Sequence, residues 1–233
     1  MNLPPLSRLC RRLVGAIMLA ILCACSSLRP TATPPPSFYS LDAAAAPSAA
    51  AGAAISARPA RAPAGAPTLI INPPHAAAGF DSQRIIYTRT PQQLEYFAHS
   101  EWVDPPARML APLLVAAAVA TGAFDAVVPT PGAAAGDLRL DTEIVRLLQQ
   151  FGSAPSQIRF TLRANLVDER TRRVLISREF DATLGADSDD PYGGVQAASR
   201  VVQEVLRQLA ALCADTARTW VPPAAKPAAG APR

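Results

Sequence analysis

The chain has 233 residues, half of them hydrophobic, yet only 6% are aromatic and 17% charged. Alanine supplies much of the apolar half, so the chain suits one modest domain with appendages. The formal charge is +4, and it falls by three, to +1, once Arg8, Arg11 and Arg12 leave with the leader described next. Near-neutrality excludes the electrostatic footprint of a nucleic-acid binder, and two histidines leave little room for a histidine-rich metal site or histidine catalysis.

Residues 1–12 carry those three arginines, and residues 13–24 form an apolar run. The run is too short to cross a bilayer, which takes about 20 residues. A basic segment followed by a short apolar one reads as a signal peptide over 1–24. Leu22-Cys23-Ala24-Cys25 looks like a lipobox, in which a small residue precedes the cysteine that is acylated. Ala24 fits that position and Leu22 does not, so Cys25 and not Cys23 is the lipidated first residue of the mature chain. Each buried methylene adds about 0.8 kcal/mol, so several long acyl chains such as palmitate anchor firmly. Ser26 stands where an aspartate would signal inner-membrane retention, which points to the outer membrane, with the domain facing the periplasm. Cys10 and Cys23 leave with the leader and Cys25 is acylated. Cys213 is then alone, no intramolecular disulfide forms, and it reads as a buried core thiol.

Residues 25–66 read as a lipidated N-terminus and an Ala/Pro-rich linker, interrupted by the apolar island Phe38-Tyr39-Ser40-Leu41. Between 43 and 66, only Ile55, Arg58 and Arg61 are not Ala, Pro, Gly or Ser, too little apolar surface to offset ordering entropy. The domain is placed at 67–220 and a disordered tail at 221–233. Strands are expected at 68–72, 84–89, 94–98 and 124–128. A helix is expected from Asp104-Pro105-Pro106, with Asp104 as N-cap and Pro105 as the first helical residue, ending at Gly122. Two strands alternate apolar and polar residues: Leu138, Leu140, Thr142, Ile144, then Ile158, Phe160, Leu162, Ala164, Leu166. A charged turn at 168–173 leads to a strand over 174–184. Val195, Ala198, Val202, Val205, Leu209 and Leu212 then stripe a second helix. The order β-β-β-α-β-β-β-β-α predicts an α+β fold: a mainly antiparallel sheet with two helices on one face.

The sequence carries no nucleophile elbow, no phosphate-binding glycine loop, no Cys-x-x-Cys and no His-Glu-x-x-His, so no catalytic residue, cofactor or metal is assigned. His75 reads as a solvated loop residue. His99, between Phe97 and Trp102, reads as a local packing or hydrogen-bonding residue. Asp187, Asp189 and Asp190 lack the rest of a calcium loop and read as helix-capping groups. Arg170, Arg172 and Arg173 fit lipid headgroups and an exposed turn equally well. Phe80, Tyr87 and Trp102 are the candidate partner-binding residues, because aromatics are enriched at interface hot spots. For Trp102 the alternative is packing the helix start onto the sheet, and for Phe80 it is folding back onto the sheet.

The stretch from Thr68 to Val128 resembles the auxiliary lipoproteins of ABC-type transport systems, the PqiC-like family. The carrying residues are Phe38-Tyr39-Ser40-Leu41, Ser82-Gln83-Arg84-Ile85-Ile86-Tyr87-Thr88-Arg89, Leu94-Glu95-Tyr96-Phe97, and the run from Glu101-Trp102 to Met109-Leu110. The family often has a proline–tyrosine–leucine–aspartate run before the Arg84 strand; here Gly79-Phe80-Asp81 stands there. The resemblance implies a non-catalytic outer-membrane subunit that docks an MCE-domain protein of an ABC transporter complex moving phospholipids between membranes. It also leaves room for a homo-oligomer. The alternative, from another class, is a lipoprotein scaffold or activator of a cell-wall synthesis enzyme.

Overall fold

The computed structural model describes residues 35–41, 62–132 and 135–222. The expected signal peptide, Cys25, most of the linker and nearly all of the tail lie outside them. Of the two compact units, Met1–Pro35 and Pro36–Arg233, every element below belongs to the second.

The chain folds as α+β, with two helices among the described residues and a mixed nine-stranded sheet whose long ladders are antiparallel. In order come β1 (Ser37–Tyr39), β2 (Leu69–Ile71), β3 (His75–Ala76), β4 (Arg84–Thr88), β5 (Glu95–Trp102), α1 (Pro106–Ala120), β6 (Val127–Pro129), β7 (Leu138–Gln150), β8 (Gln157–Asp168), β9 (Val174–Gly185) and α2 (Pro191–Thr219). The expected order is present, with β1 and β3 as short additions.

The meander β7–β8–β9 is the frame. In β8, Ile158, Phe160, Leu162, Ala164 and Leu166 all face the core and are buried. In β7 the alternation holds from Leu138 to Ile144, and the ladder then slips: Ile144 pairs Leu162, and Arg146 pairs Thr161. The extra residue, Val145, inverts the side-chain parity. Leu147 and Gln149 therefore continue the buried row, and β7 runs six residues beyond the last alternating residue, Ile144.

One edge of β7 is taken by β8. On the other, three short parallel strands dock end to end: β2 at Leu138–Leu140, β3 at Glu143–Ile144 and β4 at Gln149–Gln150. β6 extends β2, while β5 and then β1 extend β4, so the sheet forks into two branches. In the second branch, residues 97–100 of β5 stand opposite the single residue Ile85 of β4, a wide bulge. This carries β5 to Trp102, past the strand end expected near residue 98.

The start of α1 corrects a sequence expectation. Pro105 is the N-cap, in an extended conformation (φ −49°, ψ 137°), and no side chain caps the helix. A residue before proline is pushed out of the helical region, so Pro105 cannot be helical and Pro106 becomes the first helical residue. Asp104 instead pairs with Arg108 at 3.1 Å, one turn on. Gly122 ends the helix with φ 62°, as expected of a glycine past a C-cap. β6 begins at Val127 because only Val127–Pro129 pair with β2; Phe124 is buried in the turn before it.

α2 carries the apolar stripe onto the inner face of β8 and β9 and packs beside α1. Every stripe residue named from the sequence is buried except Leu212, which is partly so. The Asp190 carboxylate accepts the Gly193 N–H at 2.8 Å and caps the helix.

Candidate functional site

The three aspartates before α2 are engaged in structure. Asp187 holds Arg200 through two bonds of 2.8 and 3.0 Å, Asp189 accepts the Ser156 N–H at 2.7 Å, and Asp190 caps α2. The hydrogen bond from Arg200 lowers the Asp187 pKa, and the backbone bond from Ser156 lowers that of Asp189. Arg172 sits at φ 61° in the β8–β9 turn and pairs with Glu169 at 3.1 Å; Arg170 and Arg173 are exposed beside it. On the solvent face of the meander, Arg159 and Arg163 bridge strands to Asp181, Glu143 and Glu179. The hydrogen bond from Arg159 holds Asp181 down at about 2. Cys213 is buried on the inner face of α2, and desolvation pushes its thiol up to about 12. Among the described residues, no three of His, Cys, Asp and Glu gather as a metal cluster would.

His75 is exposed in β3, in register with Glu143. His99 is exposed too, carried outward by the β5 bulge, so the packing expected of it does not occur.

The three aromatics singled out from the sequence are not brought together. Trp102 is 4% exposed and borders a 10 Å³ gap with Ile85, Leu147, Ile158, Val195 and Ala198, under α2. Tyr87 is 8% exposed. Its ring lies 4.5 Å from Phe97 and 5.5 Å from Phe151, with the Arg89 guanidinium 5.0 Å above it. The Tyr87 hydroxyl donates to Glu95 Oε2 at 2.9 Å, and that bond raises the phenol's pKa. Phe80 is half-buried in the turn after β3, where its N–H donates to the Ala77 carbonyl and Gly79 takes φ 92°. Of the three, Phe80 has the side chain least committed to the interior.

A surface that the sequence reading did not single out lies on the β1–β5–β4 branch. Phe38 is in register with Glu101 and therefore shares its face, and Val103 follows two residues later on that face. Phe38 is 59% exposed and Val103 54%. Arg84, also in register with Glu101, lies over the Tyr96 ring at 4.8 Å, and Tyr96 is 40% exposed. The signal was present: Tyr39 and Leu41 turn inward, so strand alternation sends Phe38 outward. Elsewhere, α1 and α2 leave between them a groove of 390 Å³ lined by small residues, by Leu113 and Leu206, and by the polar Gln203 and Arg207.

A family model described as "ABC-type transport auxiliary lipoprotein component" matches residues 39–210. The chain belongs to this family. Among solved structures, protein XCC0632 from Xanthomonas campestris, of the DUF330 family, is similar at 23% identity. The match covers 68% of this chain and 92% of that one, with a TM-score of 0.61. An uncharacterised protein is similar at 15% identity over 78% of this chain and 98% of its own, with a TM-score of 0.54. These likenesses show the fold. No curated protein matches the sequence.

Proposed function

We propose that this family member is a non-catalytic lipoprotein subunit of an ABC transport system with an MCE-domain component. It is anchored through lipid on Cys25 to the outer membrane and faces the periplasm, where it docks the MCE protein during phospholipid transfer. The family match over 39–210 carries this reading. It is supported by the way the acidic and cationic groups close on one another within the fold instead of converging on a cleft. Phe80 is the partner anchor we favour, because Trp102 and Tyr87 spend their rings inside the domain.

Purification of the tagged full chain from its own membranes, with mass spectrometry of bound proteins and lipids, tests this. MCE and ABC components should copurify, and Phe80→Ala should lose them while keeping the thermal midpoint. Recovery of a cell-wall synthase instead would overturn the assignment. Cys25→Ala should abolish fatty-acid labelling, and label retained at the wild-type level would sink the anchor.

A further inference from the structure

We infer that the outward face of the β1–β5–β4 branch, built from Phe38, Val103, Tyr96 and Arg84, rests on the lipid bilayer surface. The inference builds on the reading of Cys25 as the acylated residue. It adds a second contact with the membrane, made by the folded domain itself.

Three observations carry it. The first is the patch: Phe38 and Val103 lie more than half exposed on one face, and Tyr96 stands on the same branch. Exposed apolar side chains that adjoin one another, unlike ones scattered singly, mark protein or membrane contact sites. The second is composition. A phenylalanine and a valine beside a tyrosine whose ring is covered by a guanidinium suit the bilayer boundary, where rings enter the headgroup layer and cations meet phosphate; Glu101, between Phe38 and Arg84, is the one acidic residue of this row. The third is reach. Ser37, the first residue of β1, follows Cys25 by twelve residues. A fully extended chain of that length spans about 40 Å, so β1 is the strand held nearest the anchor by covalent connection. A tether this short supplies an effective concentration in the millimolar range, so a contact too weak to recruit the free domain still holds once the lipid is inserted. β9, at the opposite edge of the sheet, also exposes an apolar residue, Val174, but is separated from Cys25 by most of the chain.

The test uses the full-length acylated protein in vesicles of phosphatidylethanolamine and phosphatidylglycerol, with and without bromine on the acyl chains. The variants F38W and V174W each report from one exposed position, with the signal of the native tryptophans subtracted. Both positions are exposed, and circular dichroism checks that each variant is folded. Bromine should quench F38W and leave V174W bright. Quenching of F38W no greater than that of V174W overturns the proposal. A blue-shifted F38W indole that bromine does not quench overturns it as well, because a second protein copy then covers the patch. The mass of the Cys25 peptide separates the two readings. An unacylated peptide with unquenched F38W fails the anchor and the patch together, whereas an acylated one with unquenched F38W fails the patch alone.

Discussion

Along β8, every core-facing residue from Ile158 to Leu166 is buried, and the strand has a ladder on both sides. Along β5, the ladder with β4 breaks at 97–100, Ala98 and His99 stand exposed, and the outer neighbour β1 contributes only three residues. The two regions share one sheet but differ in what selection can change cheaply. A side chain altered in β8 disturbs two ladders and the packing under α2. One altered on the outer face of β5 disturbs only solvent or whatever docks there. Burial is concentrated in the meander, and the branch carries the exposed face proposed above to meet the bilayer.

That contrast can be broken experimentally. The largest effect is expected from Phe160→Ala, which empties a fully buried site in the meander and should cost about 3–5 kcal/mol by urea unfolding. A loss below about 1 kcal/mol would show that the meander is not the frame. Gly194→Ala comes next. The new Cβ would stand 2.8 Å from Gln149 Cδ, where α2 crosses the end of β7, and overpacking of this kind costs about 1–3 kcal/mol. In a Gln149→Ala background the same substitution should cost less, and equal cost in both backgrounds would rule out this contact as the cause. Removing the α2 cap with Asp190→Ala should cost about 1 kcal/mol in a thermal melt.

Smaller effects sharpen the other side of the comparison. Asp181 has a folded pKa of about 2, below its ordinary value near 3.9. Its contribution is therefore complete above pH 4 and is lost as pH falls from about 4 towards 2. The Arg159–Asp181 pair is substantially exposed, so that contribution stays below about 1 kcal/mol. Asp181→Asn should flatten the acid limb of the stability–pH curve and leave neutral stability nearly intact. An unchanged acid limb would dismiss the pair. Replacing Phe38 and Val103 together by serine should move stability by no more than about 0.5 kcal/mol. A loss of several kcal/mol would mean that the branch face is core.

Legibility followed the same division. The meander could be read because one buried face and one wet face impose strict alternation, and reading failed at Val145, where a bulge reverses parity without any change in composition. The helix stripe of α2 was legible for the same reason. The α1 start was misplaced by one residue because two consecutive prolines compete, and only the second can be helical. The parallel docking of β2, β3 and β4 along β7 leaves no local trace, since such pairings depend on residues 62 to 69 positions apart. Tyr87, Trp102 and Phe80 are all aromatic, and composition alone does not say that a bulge turns Trp102 inward while Phe38 faces out.

The end of α2 has a consequence for the order in which the molecule assembles. The Trp220 indole N–H donates to Asp168 Oδ2 at 2.9 Å, and the same carboxylate accepts the backbone N–H groups of Arg170 and Thr171 in the β8–β9 turn. The two hairpins of the meander close over short loops and can form early, but their inner face has no cover until α2 arrives. Synthesis delivers that cover after the whole sheet, and the clasp after the cover, ten residues beyond the end of the family match. A nascent chain that stops at residue 210 would hold a nearly complete sheet with its cover shortened by more than two turns. Arrest of translation at residue 210 is therefore expected to yield a protease-sensitive, sheet-rich species, and completion of residues 211–220 is the step that closes the clasp.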